Sequence, residues 1–287
     1  MSLRRETGYL AVINQPYPTS TSTNASDTNY FIVFVIMTLS CHITTRDAIR
    51  ETWANSTNWN LTGIATDRLN FKLLFVVGDV GPETPQKTQT CINKTRELFL
   101  KELDEHDDVL YREELVESRQ VLKYKVQTGI DYALTNYNFS FLVKTDDDVT
   151  VNLPQLLRGL GDLTDVTHLY AGTCFKHPAY RDRYCSGGGY LLSRDLAEAT
   201  RNLSAAQWDP QEIPLPEDAN TGFLVDKVRQ TGEKVTILSG KFDIGRGKCF
   251  RPGRWFYLHK KHQTTVESHQ DLHNRIRYFN SSAKCSR

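Results

Sequence analysis

Apolar residues fall along this chain in short continuous runs, and between the runs they recur at helical spacing. Seven consecutive apolar residues, Phe31-Ile32-Val33-Phe34-Val35-Ile36-Met37, predict a strand from Tyr30 to Leu39, since a strand covered on both faces reads as an unbroken hydrophobic run. A helix is predicted from near Thr44, carrying Arg46, Ala48, Ile49 and Trp53, and then a strand from Phe71 to Val77 that ends in a Gly78-Asp79 turn. A polar helix from Thr88 to Leu103 precedes a second one from Val121 to Leu134, with Leu122, Val126, Ile130 and Leu134 on one face, leading into a strand at Phe139 to Val143. Further strands are predicted at Leu169 to Thr173 and at Tyr190-Leu191-Leu192, with a helix from Asp195 and another opened by Pro216-Glu217-Asp218. Strands and helices that alternate in this way predict an α/β fold with a mostly parallel central sheet. Residues 1–29, with Pro16, Pro18 and the run Thr19-Ser20-Thr21-Ser22-Thr23, show no periodicity and predict a disordered stem remnant ahead of a single domain at 30–287.

The strand at Phe141-Leu142-Val143 ends in Lys144-Thr145-Asp146-Asp147-Asp148, where three adjacent carboxylates repel one another at the tip of a buried element. An isolated Asp-Asp-Asp is more often an acidic surface turn. The strand before it and Val149-Thr150-Val151 after it favour a cation site instead. Oxygen-only donors suit a hard ion such as Mg2+ or Mn2+, whose open positions can hold a diphosphate. Ligands of open parallel sheets bind beyond the carboxyl ends of strands, which is where Asp146 to Asp148 are expected.

Three further features carry chemistry. Gly187-Gly188-Gly189, ahead of the Tyr190-Leu191-Leu192 strand, lets backbone approach a ligand and suits a sugar platform, although a tight hairpin after Cys185 explains it equally well. Phosphate loops need a strand first and a helix after, the reverse of this order. Glu217-Asp218 at a helix start is by itself ordinary capping, but it offers a carboxylate remote from the cation site, as a general base requires. His259, after the aromatic run Trp255-Phe256-Tyr257-Leu258, is a candidate third metal ligand.

A net charge of +1, from 35 basic and 34 acidic residues, gives no global field for nucleic acid or anionic membrane. Seven Asn-x-Ser/Thr sequons, at Asn24, Asn55, Asn60, Asn93, Asn138, Asn202 and Asn280, exceed the ~2 expected by chance and indicate a secretory lumen; Asn138, beside a buried strand, is expected to escape modification. Six cysteines without Cys-x-x-Cys spacing then read as three disulfides. Spacing does not fix their connectivity. Cys174 with Cys185 and Cys249 with Cys285 close local loops, leaving Cys41 for Cys91, with free buried thiols the other option for that last pair. The longest apolar run is a strand's length, not a bilayer's, and the first residues contain no signal core.

Together, Thr45-Arg46-Asp47-Ala48-Ile49-Arg50-Glu51-Thr52-Trp53, Phe75-Val76-Val77-Gly78, Lys144-Thr145-Asp146-Asp147-Asp148-Val149, Tyr184-Cys185-Ser186-Gly187-Gly188-Gly189-Tyr190 and Glu217-Asp218-Ala219 resemble the β1,3-galactosyltransferase and β1,3-N-acetylglucosaminyltransferase family, to which Fringe is a more distant relative. The resemblance implies a GT-A type nucleotide-sugar transferase fold. It also implies a type II protein of the Golgi lumen whose membrane anchor is absent from this chain, and an inverting transfer from a UDP-sugar to a glycan acceptor with Mn2+, or Mg2+, as cofactor. Residue by residue, it implies Asp146, Asp148 and His259 as metal ligands, Asp218 as catalytic base, and Arg46, Arg50, Asp146 and Asp147 beside the nucleotide, in a block that also holds Trp53; helix packing is an equal alternative for Arg50 and Trp53. Gly187, Gly188, Gly189 and Glu217 fall at the sugar platform. Valine usually stands at the position of Ala219, and two basic residues at Arg46-Asp47. The form of Glu217-Asp218 points to galactose as the sugar moved, with N-acetylglucosamine or N-acetylgalactosamine as alternatives. A glycan-binding protein with an inactive transferase fold is the alternative from another class, and the presence of Asp146, Asp148, Asp218 and His259 together opposes it. A phosphohydrolase would need further ligands near Asp148 to activate water.

Overall fold

A computed structural model describes residues 28–177, 180–206, 215–240, 242–243 and 256–258, with Gln270 and Asn274. The expectation for the first 27 residues therefore lies outside the described residues.

Strand β1 (Asn29–Met37) is the third strand of a seven-stranded sheet. It runs parallel to β2 (Phe71–Asp79) on one side and to β4 (Asn138–Asp146) on the other, while β3 (Val109–Val116) extends the β2 edge in parallel. Beyond β4 lie β7 (Tyr180–Ser193), antiparallel to it, then β6 (Leu169–His177) and β8 (Thr236–Ser239). A small second sheet joins β5 (Val149–Val151) to β10 (Phe256–Leu258) and β9 (Phe242–Asp243).

Both faces of β1 are covered from Phe31 onward, which is why its sequence is apolar from Phe31 to Met37. Ile32, Phe34 and Ile36 pack with Ile49 of helix α1 (Ile43–Glu51), with Trp53 just past its end, and with Leu153, Leu156, Leu157 and Leu160 of α4 (Leu153–Gly161). Val33, Val35 and Met37 on the other face meet Val126, Ile130 and Ala133 of α3 (Leu122–Asn136). The same layer continues through Leu196 of α5 (Arg194–Ala206) to Val225 and Val228 of α6 (Glu217–Gln230). Each such side chain contributes on the order of 1.5–3 kcal/mol. The remaining helix, α2 (Gln86–Glu105), buries only Ile92, Phe99 and Glu102, as its polar sequence requires.

Three expectations need correction. Gly78-Asp79 is not a turn but the end of β2. The pairing with β3 shifts there, and a Cβ on Gly78 would stand 2.1 Å from the Leu115 carbonyl oxygen. The glycine run lies inside β7 rather than ahead of a strand. Strand β3 and helix α4 are additional to the predicted elements. The disulfides Cys41–Cys91 and Cys174–Cys185 form as paired above; Cys249 and Cys285 lie outside the described residues. Among the sequons, Asn60, Asn93 and Asn202 are exposed and Asn55 is half-buried, whereas Asn24 and Asn280 fall outside the described residues. Asn138 is exposed as well, and its amide bonds Asn29. No helix among the described residues is long and apolar enough to cross a membrane.

Candidate active site

From β1 the chain builds outward through β2 to β3, then returns to place β4 on the opposite side of β1. The carboxyl ends of β1 and β4 thus flank the point where strand order reverses, the usual ligand crevice of an open α/β sheet. Asp146 is the last residue of β4, and Asp147-Asp148 turn the chain into β5.

The turn separates the three carboxylates. Asp147 points inward, accepting bonds from Thr38 Oγ1 at 2.7 Å and His42 Nδ1 at 2.7 Å, while its own N–H donates to the Met37 carbonyl. Burial would raise its pKa, but the bonds from His42 and Thr38 outweigh that and hold the carboxyl below its ordinary range. Behind it, Lys125 Nζ of α3 donates to the Thr38 carbonyl and to Glu117 Oε1, each at 2.6 Å. Asp147 therefore ties the two strand ends together, which corrects the expectation that it faces a nucleotide. Asp146 keeps 35% of its side-chain surface exposed at the crevice.

Arg46 and Arg50 also depart from expectation. Arg46 is completely buried: Nε and Nη2 bond Glu102, Nη1 bonds Thr38 Oγ1 and the Leu39 carbonyl, and Nη2 also bonds the Ser40 carbonyl. All five of its N–H groups are thereby engaged. Arg50 makes a two-pronged contact with Asp108, at 2.9 and 2.7 Å, and further bonds to Glu102 and Asp47. Both guanidinium groups anchor α1 to the α2 side of the sheet rather than reaching a phosphate. Trp53 packs edge-on against Phe34, ring centres 5.2 Å apart.

On the β4 side, Lys144 is 0% exposed, with Nζ donating to Asp146 Oδ1 at 2.8 Å, to Glu217 Oε2 at 3.1 Å and to the Gly187 carbonyl. Burial disfavours its charge, but the two carboxylates more than offset this and raise its pKa. Glu217 opens α6 and also accepts the Tyr190 hydroxyl at 2.6 Å; Tyr190 in turn meets Thr221 Oγ1 at 3.0 Å. Burial pushes the Glu217 carboxyl up, with the Lys144 ammonium and the Tyr190 hydroxyl pulling the other way.

The glycines explain how β7 reaches both sides. Cys174 pairs with Cys185 and Gly172 with Tyr190, so one residue of β6 faces the four residues Ser186 to Gly189, which bulge out of the ladder. Within the bulge the Gly187 carbonyl takes Lys144, the Gly188 carbonyl takes Thr145 Oγ1 at 2.9 Å, and the Gly187 N–H donates to Asp218 Oδ2 at 3.2 Å. A Cβ at Gly187 would stand 3.0 Å from Glu217 Oε2, so the position needs glycine for close approach. Asp218, in the first turn of α6, has its other oxygen on the Ala219 N–H at 2.9 Å. Its direction is fixed by backbone on both sides.

Asp146, Gly187, Glu217 and Asp218 are thus brought together around Lys144. Gly189 pairs with Thr145 in the β4–β7 ladder. Asp148, 9% exposed, leads into β5, where Val149 pairs with Leu258 of β10. His259 lies outside the described residues. Among the described residues no three His, Cys, Asp or Glu side chains form a metal-holding group. Lys144, His42 and Tyr190 were not singled out from sequence, although a lysine closing the apolar run Phe141-Leu142-Val143 is itself a signal.

The galactosyltransferase family model matches residues 44–182, a stretch holding Asp146 to Asp148 but neither Asp218 nor His259. N-acetyllactosaminide beta-1,3-N-acetylglucosaminyltransferase 4 of Mus musculus is 28% identical over 223 residues, 70% of this chain and 57% of that protein. Lactosylceramide 1,3-N-acetyl-beta-D-glucosaminyltransferase of Mus musculus is 24% identical over 254 residues, 79% and 60%. Beta-1,3-galactosyltransferase 9 of Homo sapiens is 27% identical over 260 residues, 83% and 64%. The matched stretches span less than two thirds of those relatives. A mannosyltransferase from Pyrobaculum calidifontis, solved with GDP-Man and Mn2+, has 14% identity over 83% of this chain and 63% of its own; its TM-score of 0.39 is too low to bear on function. The chain is thus similar to β1,3-glycosyltransferases, and residues 44–182 match the galactosyltransferase family model.

Proposed function

We propose that this protein is an inverting β1,3-hexosyltransferase that moves galactose from UDP-galactose to a sugar hydroxyl on a glycan. The observation that carries the reading is the meeting of Asp146 and Asp218 at the strand-order reversal, one through Lys144 and the other through the Gly187 N–H. The family supports glycosyl transfer; the choice of galactose rests on the form of Glu217-Asp218.

In this reading Asp218 takes the proton of the acceptor hydroxyl as that oxygen attacks the sugar's anomeric carbon. Its two N–H partners orient the carboxylate and leave a lone-pair direction on each oxygen for the incoming proton. One attack opposite the leaving group inverts the centre, so one base suffices and no covalent enzyme intermediate forms. Asp146 and Asp148 present oxygen donors, and only one oxygen of Asp146 bonds Lys144, so the pair fits a hard divalent ion. Mn2+, or Mg2+, bound there would offset the charge of the UDP diphosphate, with His259 as a further ligand. The disulfides and exposed sequons support a secretory-lumen setting; the reading of that setting as the Golgi, with a type II membrane anchor, rests on the family resemblance.

The test is transfer by purified protein with UDP-galactose, UDP-N-acetylglucosamine and UDP-N-acetylgalactosamine over a panel of glycan acceptors. Transfer of galactose, lost about 10²- to 10⁴-fold in Asp218→Asn with UDP affinity retained, is the expected result. Preference for an N-acetylhexosamine donor replaces the sugar but keeps the reaction; glycan binding without turnover makes the protein an inactive relative.

A further inference from the structure

The Lys144 ammonium touches all three parts of the site. It has three N–H donors and three acceptors: Asp146 at the end of β4, the Gly187 carbonyl in the β7 bulge, and Glu217 in the first turn of α6. These acceptors are 2, 43 and 73 residues away in the chain. A fully buried cation is costly, and packing alone would be met by methionine at this place beside Tyr190. What lysine adds is the three bonds.

We propose that Lys144 is a positioning residue for sugar transfer. It sets the distance and direction between the donor side, through Asp146, and the acceptor side, through Gly187, whose own N–H bonds Asp218, and Glu217, which Asp218 follows in the chain. The proposal rests on the roles given above to Asp146 and Asp218. Lys144 has no exposed surface and does not itself touch substrate. A displacement of about 1 Å between reacting groups costs roughly 100-fold in rate, so a slack connection at this point lowers kcat.

Lys144→Met alone strands the Glu217 carboxyl in the interior and threatens the fold. The informative comparison is therefore Lys144→Met/Glu217→Gln against Glu217→Gln, since the double variant removes both buried charges. We expect the two to melt at similar temperatures, while the double variant loses a further ~100-fold in kcat with acceptor KM changed less than about threefold. A purely structural lysine predicts instead that turnover recovers together with stability. Equal kcat in the two variants, with the wild type active, overturns the role of Lys144 and leaves the transferase reading standing. A wild type that transfers no sugar overturns that reading and this proposal with it.

Discussion

Arg46 and Lys144 are both cations with no exposed surface and a full set of acceptors, yet they do different things to the molecule. The partners of Arg46 are Thr38, Leu39 and Ser40, three consecutive residues after β1, plus Glu102 of α2. The Cys41–Cys91 bridge joins the same two pieces. Lys144 takes its acceptors from three separate segments, the end of β4, the β7 bulge and the first turn of α6. A buried charge answered within one corner makes that corner rigid. One answered from several segments fixes how those segments stand to one another.

The sharpest test of this contrast is Arg46→Met. It leaves Glu102 with Arg50 as its remaining cation, so we expect a loss of about 3 kcal/mol in urea unfolding, with kcat of the folded fraction little changed. A collapse of kcat at undiminished stability would return Arg46 to the active site. Gly187→Ala acts on the other corner: the new Cβ presses on the Glu217 oxygen that bonds Lys144. Roughly 1 kcal/mol of stability and about tenfold in turnover are expected to go. A melting curve and kcat both matching wild type would show that the bulge has slack to spare. The smallest effect concerns acid. Burial raises the Glu102 pKa, but Arg46 and Arg50 outweigh it and lower it below the ordinary 4.5. Its stabilisation is thus complete above about pH 4.5 and disappears as pH falls through the depressed folded-state value. Wild type is expected to lose a few degrees of Tm more than Glu102→Gln between about pH 5 and pH 3; parallel profiles would show that Glu102 is not the titrating group.

The central strands were legible because covered strands announce themselves: β1, β2 and β4 are apolar runs bounded by polar residues. The parallel sheet followed from the alternation. Strand β3 escaped because Arg112-Glu113-Glu114 interrupts it on a half-covered edge; α4 was missed although Leu153, Leu156, Leu157 and Leu160 keep the i, i+3, i+4, i+7 spacing of a helix face, because only nine residues carry the pattern. In the site, the residue types of Asp146 and Asp218 were visible, but not what joins them. Lys144 meets Glu217 across 73 positions and His42 meets Asp147 across 105, contacts that only strand order creates. The partners of Arg46 and Arg50 were hidden for the same reason: their sequence block says nothing of Glu102 and Asp108, which stand on α2 and just beyond its end.

The pairing of β10 with β5 has a consequence for how the protein comes to work. Val149 acquires Leu258 as its partner only after more than a hundred further residues have been made. Domains emerging from the ribosome organise from the amino end, and distant pairings form late. The parallel strands β1 to β4 have their sequence in hand well before the edge beside Asp148 can close. The β5 edge beside Asp148 accordingly closes late, and a nascent protein stopped short of β10 would carry the sheet without that pairing.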